Sequence, residues 1–333
     1  MSGICRHIGS STSAADNNFI NFFSRSNIMS FVFCSLCKDL EGVKLNKYLQ
    51  DTITAEFIGN PESGTQEWHE LRKGSIGGSE VGTIAGLNQY ESAYTLWHKK
   101  TGLMSDKIEG NWSIRFGNAF ETPILNMFAE EHPELQVMET GTFRSKEHNW
   151  QHANPDGIAL NSVTGLYEVI EVKTSRREWE EIPQSYIAQV QWYMHVLGMK
   201  TARIVAVAGW QWFEEVIEYD QFFAEALESH AKRFYNACET NVKPDWDGSK
   251  STYETVRRFN TGMKDESVEI PQQLAVALAQ ASALSKEATT ELNKTKSMVH
   301  DAIGAAKYAT TNGQVVALKQ SRSGGSPYLV IKG

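Results

Sequence analysis

Two carboxylates suited to holding a divalent cation, and one ammonium, occur close together. Asn154-Pro155-Asp156-Gly157-Ile158-Ala159-Leu160 contains an apolar run bounded by Asp156, and Tyr167-Glu168-Val169-Ile170-Glu171-Val172-Lys173 is a second such run. Between them lies Asn161-Ser162-Val163-Thr164-Gly165, a polar stretch ending in glycine that reads as a hairpin turn. Residues two apart in a strand point to one face, so Glu171 and Lys173 project together and the hairpin can bring Asp156 beside them. The carboxylates are hard oxygen ligands of the kind Mg²⁺ takes. The lysine can orient an attacking water or offset phosphate charge. The same residues also fit a solvated hairpin with a surface ion pair, so the flanking elements must decide.

Those elements read as follows. Gln66-Glu67-Trp68-His69-Glu70-Leu71-Arg72 is a short helix with Trp68 and Leu71 inward. In the next segment, Gly77 and Gly78 let backbone approach a ligand. Ser79 is the expected N-cap of a helix running to Ala85 and stopped by Gly86. A further helix covers 92–101. A longer one covers 114–131, with Ile114, Ala119, Ile124, Leu125 and Phe128 as its apolar face. Glu121 lies beside that face, either as a solvated carboxylate or as a third ligand facing the hairpin. The helix 184–198 ends at Gly198, and Gln189 and Tyr193, four apart, share one of its faces. Strands at 202–208 and 213–219 precede a helix at 221–240 that packs Phe222, Leu227 and Phe234. The order implies an α/β sandwich, a mixed sheet with flanking helices.

Length and composition bound the alternatives. A chain of 333 residues, 41% hydrophobic and 22% charged, holds one large domain plus an appendage. No apolar run approaches the roughly 20 residues of a membrane span. A net charge of −8 argues against a non-specific DNA coat but is compatible with a local basic channel. Cys5, Cys34, Cys37 and Cys238 are too few and too scattered for a disulfide scaffold. The lone Cys34/Cys37 pair has no second pair or histidines at zinc-finger spacing, so free or buried thiols are expected. Residues 1–63 read as a poorly defined N-terminal extension, a tail or an over-long start before Met29.

The blocks together resemble the YqaJ viral recombinase family, which includes phage lambda exonuclease, within the PD-(D/E)xK nuclease superfamily. The resemblance rests on Trp68-His69-Glu70-Leu71-Arg72 with Ser79, Phe116-Gly117-Asn118-Ala119-Phe120-Glu121, Pro155-Asp156-Gly157, Glu171-Val172-Lys173 and Tyr186-Ile187-Ala188-Gln189-Val190-Gln191. Gln189 with Tyr193 also resembles the Gln-xxx-Tyr pattern of RecB-type nucleases. It covers about 64–240 and implies a restriction-endonuclease-like mixed central sheet flanked by helices.

The implied activity is Mg²⁺-dependent (or Mn²⁺-dependent) hydrolysis of linear duplex DNA from the 5′ end, leaving a 3′ single strand for recombination by strand annealing. By that resemblance Asp156, Glu171, the Val172 carbonyl and Glu121 hold metal, Lys173 positions the water, and Gln189 holds the water or the scissile phosphate. Arg72 and Ser79 take the terminal 5′-phosphate. Two positions depart from lambda exonuclease: Lys146 stands where it has an acid, and Asn154 where it has a serine. The resemblance further implies double-stranded DNA ends and a single-strand annealing protein as partners. It also implies a homo-oligomer, possibly a trimeric ring, no membrane, and a cytoplasmic phage or prophage protein. A DNA-end-binding or assembly protein with a nuclease fold, and a structure-specific endonuclease, are the competing readings.

Residues 241–333 lie outside these blocks. A turn-rich linker at 243–248 precedes an amphipathic helix from about Pro271 to Ala306, then strand-like runs at 314–319 and 327–332 forming a β-hairpin appendage.

Overall fold

The computed structural model describes residues 47–62, 64–105, 112–322 and 324–332. The expectations for Cys5, Met29, Cys34 and Cys37 lie outside the described residues. The chain divides into two compact units, one reaching Thr261 and one beginning at Gly262.

The first unit opens with α1 (Lys47–Thr52), β1 (Ala55–Gly59), α2 (Gln66–Arg72), β2 (Ile76–Gly77), α3 (Gly78–Ile84), α4 (Ala93–Lys100) and α5 (Trp112–Glu131). Next come β3 (Leu135–Glu139), β4 (Thr142–Ser145), β5 (Gln151–Ala153), β6 (Gly157–Asn161) and β7 (Tyr167–Ser175). It closes with α6 (Gln184–Leu197), β8 (Thr201–Ala208), β9 (Gln211–Glu218), α7 (Gln221–Glu239) and α8 (Lys250–Phe259). The main sheet is mixed, in the order β3-β6-β7-β8-β9. Only β7 and β8 are parallel within it, because α6 carries the chain back between them. A smaller sheet has the order β1-β4-β5-β2.

β7 is buried over its first six residues, as a central strand covered on both faces must be. Ile170 and Val172 pack with Ile124, Leu125 and Phe128 of α5. Val169 joins the opposite core, with Val190, Trp192 and Met194 of α6. Glu171, of the same parity as Val169, therefore faces α6.

Four local expectations change. The N-cap of α3 is Gly77, not Ser79, which sits inside the first turn. On α7, Phe222 is exposed, while Phe223 one position on packs against the core with Leu227 and Phe234. The α5 face is buried only from Ile124 onward, and Ile114 and Ala119 are exposed. Pro123 sits where burial begins. Its missing N–H removes the helical bond to the Ala119 carbonyl. α8, which the sequence did not announce, is tied to α4 by hydroxyls: Thr95 meets Thr255 at 2.8 Å, and Thr252 donates to Ser92 at 2.8 Å.

The second unit contains α9 (Gln272–Ala302) and a three-stranded antiparallel sheet of β10 (Tyr308–Thr311), β11 (Gln314–Gln320) and β12 (Tyr328–Ile331). The expected hairpin thus gains β10 as a third strand. Val299 and Ile303 pack on Ala309, Ala317 and Leu329. No described helix is long and apolar enough to cross a membrane.

Candidate active site at the open edge of β7

β6 begins at Gly157, opposite Ile170, so beyond Ile170 that edge of β7 has no strand partner. Asp156, just before β6, takes its place: Asp156 Oδ2 accepts the Val172 N–H at 2.7 Å. A strand residue presents its N–H and C=O at one edge, so the Val172 carbonyl faces the same opening.

Glu171 is 1% exposed and faces α6. Its Oε1 accepts from Gln189 Nε2 at 2.6 Å and pairs with the Lys173 ammonium. Its Oε2 is buried without a hydrogen-bond partner. Gln189 Nε2 also reaches Tyr193 Oη at 3.0 Å. The Lys173 ammonium lies 5.0 Å from the centre of the Tyr186 ring. Glu121, from α5, shares a hydrogen bond with Asp156. Glu121, Asp156, Glu171, Lys173, Gln189 and Tyr193 thus come together, with Val172 in the backbone.

The electrostatics are those of crowded, desolvated carboxylates. Burial, then the charge of Asp156, pushes Glu171 up to about 8. The same two causes push Glu121 up to about 7. Burial also raises Asp156, against the pull of Lys173 and the Val172 N–H. Burial opposes the charge on Lys173, but Glu171 and Asp156 outweigh it and hold the ammonium protonated. One ammonium does not balance three carboxylates, and an orphaned carboxylate oxygen remains. The donor set, carboxylate oxygens and a carbonyl, is the kind Mg²⁺ or Mn²⁺ takes. Among the described residues, no three acidic, histidine or cysteine side chains converge as placed. Two carboxylates and the Val172 carbonyl, completed by water, are enough for Mg²⁺, which keeps several waters of its own.

Arg72 and Ser79 also meet: Arg72 Nη2 donates to Ser79 Oγ at 3.0 Å, and the guanidinium lies 4.3 Å over the Trp68 ring. The neighbouring glycines serve a different purpose from the one their sequence suggested. A Cβ on Gly77 would lie 2.3 Å from His152 Nε2, and one on Gly78 would lie 2.4 Å from the Tyr193 ring. Both spaces are filled by rings, not held open for a ligand. Tyr193 thereby links the Arg72–Ser79 segment to Gln189 and Glu171.

Sequence reasoning missed the polar support beneath this segment. Lys100 Nζ donates to Ser75 O at 2.6 Å and to Glu80 Oε1 at 2.9 Å. Glu80 Oε2 accepts from Gly77 N at 2.9 Å, and Ser75 Oγ meets His152 Nδ1 at 2.9 Å. Burial works to raise Glu80, but Lys100 and Arg72 outweigh it and hold it at about 2. Burial, then the Arg72 charge, keeps His152 neutral. Glu80 three residues after Gly77 is capping-box spacing, the one available signal. Of the two departures from lambda exonuclease, Lys146 holds the Ile53 carbonyl at 2.9 Å, and Asn154 accepts from Thr142.

A mixed sheet with clustered carboxylates and a lysine at an open strand edge is an arrangement that suits a nuclease. Residues 67–200 match the YqaJ-like viral recombinase domain. The uncharacterized protein YqaJ of Bacillus subtilis (strain 168) is 28% identical over 261 residues, covering 73% of this chain and 81% of that protein. Protein D345L of African swine fever virus (strain Badajoz 1971 Vero-adapted) is 28% identical over 71 residues, 21% of this chain and 20% of that protein. The crystal structure of an alkaline exonuclease, LHK-Exo, from Laribacter hongkongensis aligns with a TM-score of 0.44 at 19% identity. That alignment covers 59% of this chain and 98% of that one.

Proposed function

We propose that the chain is a Mg²⁺-dependent exonuclease that degrades the 5′ strand of linear duplex DNA and leaves a 3′ single strand for annealing. The observation that carries this reading is the set Glu121, Asp156, Glu171 and Lys173 gathered at one open strand edge. Catalysis belongs to 64–240, with 1–63 and 241–333 outside it.

Asp156, Glu171, the Val172 carbonyl and Glu121 would hold the metal, with Mn²⁺ as a substitute. Two bound metal ions would supply water activation and stabilise the leaving oxygen. Lys173, freed from Glu171, orients the attacking water and offsets phosphate charge. Gln189 holds that water or the scissile phosphate and is itself positioned by Tyr193. Arg72 offers a planar fork of donors and Ser79 a hydroxyl to a terminal 5′-phosphate, which selects a DNA end over an internal site. The enzyme works in the host cytoplasm as a homo-oligomer, a trimeric ring, beside a single-strand annealing protein.

The test is digestion of a linear duplex labelled at its 5′ or 3′ termini, with a covalently closed circle as control. The account expects Mg²⁺-dependent loss of the 5′ strand and an intact circle. Cleavage of the circle would make the protein an endonuclease. Tight binding to ends without product would make it an end-binding protein.

A further inference from the structure

The first half of α5 is apolar yet unburied. Trp112 is 67% exposed, Ile114 43% and Phe120 44%. Surface helices ordinarily turn such residues inward, and α5 does so only from Ile124. The rings of Phe116 and Phe120 stack on each other, centroids 4.2 Å apart and planes 21° apart. Arg115 lies 5.8 Å from the centre of the Trp112 ring, and 112–120 contains no acidic residue.

This exposed stretch is fixed against the carboxylate cluster. Phe120 immediately precedes Glu121, so their Cα atoms are about 3.8 Å apart, and Glu121 bonds Asp156. One turn earlier, Gly117 approaches Thr174, the residue after Lys173: a Cβ there would lie 3.5 Å from its hydroxyl.

We propose that Phe120, backed by Phe116, is a stacking platform for a nucleobase of the strand being degraded, next to the scissile phosphate. This rests on the nuclease reading for its substrate class. A ring face is what a sequence-independent exonuclease needs, because every base has a π-face, whereas hydrogen-bond readout would favour some bases over others. The absence of acids and the presence of Arg115 suit an approaching phosphate backbone. The alternative is a helix-stabilising i,i+4 aromatic pair, which would be indifferent to DNA.

The experiment is fluorescence-anisotropy titration of the full chain in Ca²⁺. The probes are a 5′-phosphorylated linear duplex with natural bases and the same duplex with tetrahydrofuran residues at the terminal positions of the 5′ strand. Wild type should bind the natural duplex about tenfold more tightly, the size of one lost stacking contact. Phe120→Leu keeps an apolar, helix-favouring side chain without a π-face. It should bind both duplexes alike, at the weaker affinity. Equal wild-type affinities, binding to neither duplex, or a preserved difference in Phe120→Leu would overturn the platform. So would an altered size-exclusion profile of Phe120→Leu with unchanged DNA affinity, which would mark a subunit contact. Wild type that discriminates the duplexes but releases no nucleotide in Mg²⁺ would leave the platform standing and sink the nuclease reading.

Discussion

The carboxamide of Gln189, on α6, donates to Glu171 Oε1, on β7, across 2.6 Å. Both residues are almost fully buried, so this bond fixes a desolvated carboxylate on which Lys173 also closes. Hydrogen bonds to charged groups contribute about 1.5–3 kcal/mol. Gln189→Ala should therefore lower kcat on linear duplex by about ten- to a hundredfold. Thermal melting should also fall, because the buried Glu171 carboxylate loses a donor. A mutant with wild-type kcat would remove Gln189 from the site.

Gly77 and Gly78 give a stability prediction. Gly77→Ala places a methyl against the buried His152 ring, and Gly78→Ala places one against the buried Tyr193 ring. Overpacking of this kind costs about 1–3 kcal/mol. Each variant should melt several degrees lower, with Gly78→Ala also losing activity through Tyr193 and Gln189. Unchanged melting of both would mean that the rings can move aside.

Much of this was legible in the sequence, and the boundary has physical causes. Glu171 and Lys173 share a face by the two-residue period of a strand, and Gln189 and Tyr193 by the four-residue step of a helix. Such local geometry carries over directly. The positions of Phe222 and Phe223 could not be told apart, because a one-residue rotation of α7 decides which is inward. The partners of Gly77 and Gly78 were invisible, since His152 and Tyr193 are distant in sequence and only tertiary packing brings them in. α8 escaped notice because hydroxyls, not an apolar stripe, attach it to α4. The bare first half of α5 looked like core for the opposite reason: its residues are apolar, but no described residue of unit one buries them.

Glu80 makes acid stability measurable. Its folded pKa of about 2 lies below its ordinary 4.5, so the folded state holds the charged form more tightly. The resulting stability, about 3 kcal/mol, is present above pH 4.5 and is lost as pH falls toward 2. The melting temperature of Glu80→Gln should lie well below wild type at pH 7, with the gap closing between about pH 5 and pH 2. A gap independent of pH would show that the side chain acts by shape alone.

Arg72 tests end recognition. Losing one charge-assisted contact to a terminal phosphate should slow initiation about tenfold or more. Wild type should prefer a 5′-phosphate over a 5′-hydroxyl end, and Arg72→Ala should lose that preference while single-turnover cleavage of bound DNA persists. Equal wild-type rates on both ends would confine Arg72 to its contacts with Ser79 and Trp68.

Lys173→Ala and Glu171→Gln bear on the central claim most directly. The measurement is nucleotide release from a 5′-phosphorylated linear duplex in Mg²⁺ by each purified variant, alongside its circular dichroism melt. Both side chains sit at the open end of β7 rather than in the apolar core. The account therefore predicts folded proteins with no measurable turnover. Wild-type release by either folded variant would contradict it.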